Sequence, residues 1–206
     1  MRLALTVAVA AHPVIDPFMK GNPMTAQPLP PGVRVGHVHL KVADLERAVA
    51  FYRDAVGLST VDYGADHGHP GVAFLSVGAH YNLVTLSTWG SEGGAPAPAG
   101  HTGVDHFALL YPDRAALAGA VQRLYDHGHP PTLAADGGAL VGVRVGDPDG
   151  NTVELCYERP RSAWYTPGGR LVFKLEPFDP LELLREPDRP SGGAETAASQ
   201  PSAEQR

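Results

Sequence analysis

His37, His106 and Glu154 are the side chains of this 206-residue chain whose types and spacing carry the most chemistry. Two imidazoles and a carboxylate form the facial donor set that leaves three positions open on iron(II), and the same trio fits a catalytic zinc with one open position. His37 stands seven residues ahead of Asp44, and His106 stands seven ahead of Asp113. A lone strand histidine is ordinarily a satisfied core residue; the shared register sets this pair apart. Glu154 sits in the run Thr152 to Tyr157, where strand alternation puts it on one face with Thr152 and Cys156. Cys156 is the only cysteine, so any metal must be held by nitrogen and oxygen donors. Cys156 itself reads as a small core residue. His39 shares a face with His37, but Ala108 stands at its counterpart position, so His39 reads as a lining residue.

The elements that must position these groups form a repeat. Val33 to Val42 reads as a strand, and Asp44 caps a helix whose apolar positions Leu45, Val49, Tyr52 and Val56 recur at helical spacing until Gly57. Strand-like runs follow at Leu58 to Tyr63, Val72 to Val77 and Tyr81 to Trp89. The order βαβββ then recurs. Val104 to Tyr111 is its first strand, Asp113 caps a helix through Leu117, Val121 and Leu124 that ends at Gly128, and strands follow at about 131–135, 139–145 and Thr152 to Tyr157. The loops Asp66-His67-Gly68-His69-Pro70 and Asp126-His127-Gly128-His129-Pro130 copy one another in text but occupy non-equivalent places, and read as solvated loops.

Three stretches, Gly36-His37-Val-His-Leu-Lys-Val-Ala-Asp44-Leu, Phe51-Tyr52-Arg-Asp-Ala-Val-Gly57-Leu and Asp147-Pro-Asp-Gly-Asn-Thr-Val-Glu154-Leu, together resemble the vicinal oxygen chelate superfamily over residues 33–160. That superfamily includes glyoxalase I, extradiol dioxygenases, fosfomycin-resistance enzymes and bleomycin-binding proteins. The resemblance implies an α+β fold in which two βαβββ modules, about 33–90 and 103–160, form a cupped, barrel-like mixed sheet. Metal and substrate lie inside. It implies His37, His106 and Glu154 as metal ligands, with iron(II) the first expectation and manganese(II) or zinc(II) the alternatives. Glyoxalase I and the related CoA epimerases carry a fourth donor where Val84 stands, which cannot ligate; Asn82, on the same strand face, is the remaining candidate. Trp89-Gly90, the loop through Gly100-His101-Thr102-Gly103, the run from His106 to Leu117 and Glu158-Arg159-Pro160-Arg161 resemble short catechol 2,3-dioxygenase-like proteins. The implied activity is oxygen-dependent ring cleavage of a catechol-like diol, with dioxygen and a small aromatic substrate as partners.

Around that metal site the sequence departs from the extradiol pattern. A His-His pair is expected in the fourth strand, and His80-Tyr81 stands there, leaving His80 as the acid–base candidate with Tyr81 beside it. A loop histidine is replaced by Asp136-Gly137-Gly138, and a tyrosine ten residues before the carboxylate is replaced by Arg144. A positioned acid–base group is worth about 10²–10⁴-fold, so ring cleavage is expected to be slow. Arg144 would favour a carboxylated substrate, because guanidinium offers a planar pair of donors. The competing expectation is a cup that sequesters an antibiotic or aromatic metabolite without turnover, or another enzyme of the same superfamily such as a glyoxalase or a fosfomycin-type transferase.

Sixteen basic against twenty-two acidic side chains leave no basic footprint for nucleic acid or an anionic membrane. No apolar run approaches the roughly 18 residues of a membrane span. The first eleven residues loosely resemble a short signal peptide, but the single Arg2 and the lack of a disulfide framework favour a cytoplasmic protein, and Met24 is a candidate initiator. A homodimer is the candidate assembly. Residues 1–32 read as a flexible lead, 161–186 as an extension packing on the domain, with Leu171 to Leu184 either strand or short helix. Residues 187–206 read as a disordered tail with almost nothing apolar to bury. Removing 187–206 is expected to leave the melting temperature within about 2 °C, measured by thermal unfolding of the truncated chain.

Overall fold

The computed structural model describes residues 29–98 and 100–185; the expected tail and nearly all of the expected flexible lead lie outside them. The described residues from Val35 onward group as one compact unit that contains both repeats. In the first repeat, Asp44 caps α1 (Leu45–Ala50) by accepting from Arg47 N at 3.0 Å. The helix widens into a π-helical turn, Phe51–Val56, which stops at Gly57 with φ 94°. That wider turn brings two adjacent pairs, Phe51 with Tyr52 and Ala55 with Val56, into the core together. In the second repeat, Asp113 caps α2 (Arg114–Asp126) through Ala116 N at 2.8 Å. Leu117, Ala120, Val121 and Leu124, spaced three or four apart, form its buried face.

Each repeat builds its own mixed sheet, and the class is α+β. In the first sheet the order is β1 (Val38–Lys41), β4 (Val84–Ser87), β3 (Val72–Ser76), β2 (Ser59–Tyr63), with β1 parallel to β4 and the other pairs antiparallel. The second has the equivalent order β5 (Phe107–Tyr111), β8 (Thr152–Glu158), β7 (Leu140–Gly146), β6 (Leu133–Gly138) and adds β9 (Phe173–Pro177) on the far edge. β1 and β5 are both outer strands. Among the described residues no ladder joins them: the two sheets are cupped and not closed into a barrel, in keeping with the expected two-module fold.

Three expected strands are shorter than their apolar text. The first begins at Val38 because its ladder opens with Val38 opposite Val84, which leaves His37 ahead of the pairing. The second repeat repeats this: β5 begins at Phe107, and His106 precedes it. The run from Tyr81 to Trp89 contracts to Val84–Ser87, which places His80 and Tyr81 in the β3–β4 turn. The extension left between strand and helix contains both, β9 and a 3₁₀ turn, Pro180–Leu184, that buries Leu183 and receives Arg114 through Glu182 O at 2.6 Å.

Two polar knots hold these parts. Asp147, at the β7–β8 turn, accepts from Tyr52 Oη at 3.0 Å and Asn151 Nδ2 at 2.9 Å, and from the backbone nitrogens of Asp149 and Asn151 at 2.9 and 2.7 Å. Tyr52 belongs to the first repeat and is fully buried, so this is a buried polar link between the repeats. Burial, then the Asp147 charge, pushes the Tyr52 phenol far above its ordinary value. The second knot is Asp136, gripped by Arg159 at 2.7 and 2.8 Å and by Lys174 at 3.0 Å, which ties β6 to β9 and to the chain after β8. The Arg159 hydrogen bonds, foremost, hold its carboxyl well below the usual aspartate range.

Tyr52→Phe removes one hydrogen bond to a charged acceptor and is expected to cost about 2 kcal/mol, a fall of roughly 4–8 °C in Tm. Because the folded Asp136 value is depressed, its contribution is present above the ordinary aspartate value of about 3.9 and is lost as pH falls through the folded value. Wild type and Asp136→Asn should therefore differ in Tm at pH 7, and the difference should begin to narrow only below about pH 3.9 and persist in large part at pH 3.

Candidate functional site

The polar cluster forms where the start of β5 meets β8 and β7. Glu154 lies opposite Ala108 on one side and opposite Arg144 on the other. His106 precedes β5 and leans over β8, and its Nε2 comes to 3.1 Å from Glu154 Oε2. Its Nδ1 lies 2.7 Å from Asp105 Oδ2, a bond in which the nitrogen donates. This bond favours the neutral tautomer whose Nε2 keeps a free lone pair, the arrangement usual for a metal-binding histidine. The same contact with His106, first among its causes, lowers the Asp105 pKa. Arg144 closes the cluster, with Nη1 at 3.3 Å from Asp105, Nη2 at 3.4 Å from His106 Nε2 and Nε at 3.7 Å from Glu154 Oε1. The Glu154 side chain is 15% exposed and that of His106 26%, so the pair is sheltered but reachable.

The donor chemistry of His106 and Glu154 fits a divalent ion. Two donors each about 2.1 Å from one ion at a right angle stand about 3 Å apart, close to the 3.1 Å observed. The third expected donor is elsewhere: His37 is exposed on the stretch ahead of β1. Among the described residues no group of three or more His, Cys, Asp or Glu side chains is arranged to hold a metal. One chain thus brings together two of the three expected ligands, plus Arg144.

The other expected residues fall apart from this cluster. His80 and Tyr81 are exposed and stack on each other with ring centroids 5.8 Å apart; among the described residues no hydrogen bond or ion pair links either to His106 or Glu154. His39 bonds Ser87 Oγ through Nε2 at 2.9 Å. Asn82, the candidate fourth donor, spends its amide on Thr85 at 2.9 and 3.1 Å, and Val84 is fully buried in the β4 ladder. Cys156 is buried, and desolvation pushes its thiol up to about 12, so it is unreactive as a thiolate. Of the copied histidine loops, His67 pairs with Asp62 at 2.7 Å, while His129 packs edge-on against Phe51. Asp105 was missed; its signal was a carboxylate directly beside a candidate ligand.

The family model of the glyoxalase/bleomycin resistance protein/dioxygenase superfamily matches residues 34–155, more than half of the chain. The chain belongs to that superfamily. Within it, the chain is 29% identical over 101 residues to a catechol-2,3-dioxygenase of Bacillus subtilis (strain 168), covering 49% of this chain and 34% of the relative. It is 29% identical over 125 residues to a biphenyl-2,3-diol 1,2-dioxygenase 3 of Rhodococcus globerulus, covering 59% and 62%. It therefore spans about a third and about three-fifths of these relatives' lengths. The fold matches that of a glyoxylase/bleomycin resistance protein/dioxygenase domain from Frankia sp. EAN1pec, with a TM-score of 0.52 at 18% identity over 63% of this chain and 94% of that one. In the described residues no helix is long and apolar enough to cross a membrane.

Proposed function

We propose that this chain is an extradiol-type, iron(II)-dependent ring-cleaving dioxygenase for a catechol-like aromatic diol. The observation that carries it is the convergence of His106 Nε2 and Glu154 Oε2 at 3.1 Å, with Asp105 fixing the imidazole. The two curated relatives, both dioxygenases by name, support the same class. A bound iron(II), or manganese(II) or zinc(II) in its place, would supply Lewis acidity, and the redox-active metals would also supply electron transfer between diol and dioxygen. In this reading His106 and Glu154 are two protein donors, and His37, exposed ahead of β1 and outside any three-donor group among the described residues, is the candidate third that the variant below tests. Asp105 holds the His106 ring so that Nε2 faces Glu154. Arg144 is the cation available to orient an anionic diol, and His80 and Tyr81, which stand apart from the cluster, have no step in it.

One observation favours a second reading, a cup that binds an aromatic ligand without turnover. Arg144 already supplies a positive charge to Glu154, as a site built without a metal would require.

Anaerobic loading with iron(II), followed by metal analysis and oxygen uptake over a panel of catechols, separates the two. The expected content is about one ion per chain, collapsing in His106→Ala, Glu154→Gln and His37→Ala, because each removes one of few donors. Unchanged content in the first two variants would remove the site. Unchanged content in His37→Ala alone would remove His37 from it. A loaded protein that consumes no oxygen with any diol would favour the binding reading.

A further inference from the structure

The contacts of Arg144 contain a conflict that bears on metal binding. His106 Nδ1 is committed as donor to Asp105 at 2.7 Å, so in the neutral ring Nε2 presents a lone pair. Glu154 Oε2, another acceptor, stands 3.1 Å from it. Two acceptors at that distance repel unless positive charge lies beside them. The side chain that provides it is Arg144, the cross-strand partner of Glu154.

Arg144 provides this charge without being locked in place. Its three contacts lie at 3.3, 3.4 and 3.7 Å, and its buried Nε has no hydrogen-bond partner. Arg159, on the same sheet, grips Asp136 at 2.7 and 2.8 Å, the range of a well-formed charge-assisted fork. Arg144 is thus near enough to neutralise the pair and loosely enough held to be drawn away.

We propose that Arg144 is the resident counter-cation of the His106–Glu154 pair and competes there with a divalent ion, so that a carboxylated aromatic ligand, by taking the guanidinium, makes the ion bind more tightly. The proposal rests on the reading that His106 and Glu154 hold the ion. It adds that ion and anionic ligand are positively coupled through one side chain, and such coupling is reciprocal.

The test is calorimetric titration of the full chain with manganese(II), which binds without oxygen chemistry, in the presence and absence of benzoate as the carboxylate probe. Arg144→Gln removes the competitor and is expected to bind manganese(II) at least about tenfold more tightly than wild type. Arg144→Lys keeps the charge and is expected to bind as weakly as wild type. Benzoate should tighten manganese(II) binding several-fold in wild type and leave Arg144→Gln unmoved. Equal or weaker binding by Arg144→Gln overturns the proposal, as does tight binding by Arg144→Lys. Should Arg144→Gln not fold, the benzoate arm on wild type decides, and an unchanged affinity overturns the coupling. Glu154→Gln separates the two levels. If it loses manganese(II) while Arg144→Gln matches wild type, only the competition fails; if it binds as wild type does, the ion is not at this pair and both readings fall.

Discussion

The buried bond from Tyr52 to Asp147 is the constraint on which the placement of the two repeats depends. Asp147 is 7% exposed and would be costly to bury unsatisfied, but its two oxygens receive four donors. Three come from its own turn and one from the other repeat. The turn can be satisfied locally only up to the last acceptor site, and Tyr52 fills it. Nearby, Asp149 accepts from Ala43 N at 3.1 Å and from Arg47 at 2.7 Å, so the same turn also holds the start of α1. The conformation that anchors the first repeat also sets the hairpin whose arms carry Arg144 and Glu154.

The site follows from the division of each sheet into a covered and an open face. On the second sheet Leu109, Val143, Val145, Val153 and Leu155 are buried with α2 in one core cluster. Alternation then sends Ala108, Leu110, Arg144 and Glu154 to the other face. Leu110 is 59% exposed there, so that face is not closed over by the chain's own core. A sheltered carboxylate is stabilised in such a place by positive charge beside it. The cross-strand arginine supplies that charge without a metal, and that arrangement separates this chain's site from a bare ligand set.

Much of this was legible in order and register. The two helices begin at Asp44 and Asp113 because an aspartate side chain can satisfy the first free amides, a local interaction written in the sequence. The pairing of Arg144 with Glu154 was legible too: both are five residues from Asp149, at the centre of the Asp-Pro-Asp-Gly-Asn turn, and an antiparallel hairpin places such residues opposite each other. Less legible were the strand ends. Apolar text continues through Val33, Val35, Tyr81 and Val104, but a strand extends only as far as its neighbour supplies hydrogen bonds, and β1 has a partner only from Val38 onward.

The helix caps and the alternation of strand faces were readable along the chain because each depends on neighbours a few residues apart, and the repeat and the family because those local patterns recur in the same order. Which candidate ligands meet is set instead by contacts between distant parts of the chain. His106 and Glu154 are joined by adjacent strands of one sheet, so their approach follows from a single ladder. His37 belongs to the other sheet, and its distance from them depends on how two open sheets are set against each other, which no local pattern encodes. Asp136 shows the same limit: its text reads as a loop lacking a histidine, and its role as anchor for Arg159 and Lys174 appears only when β9 pairs with β6, nearly forty residues along the chain.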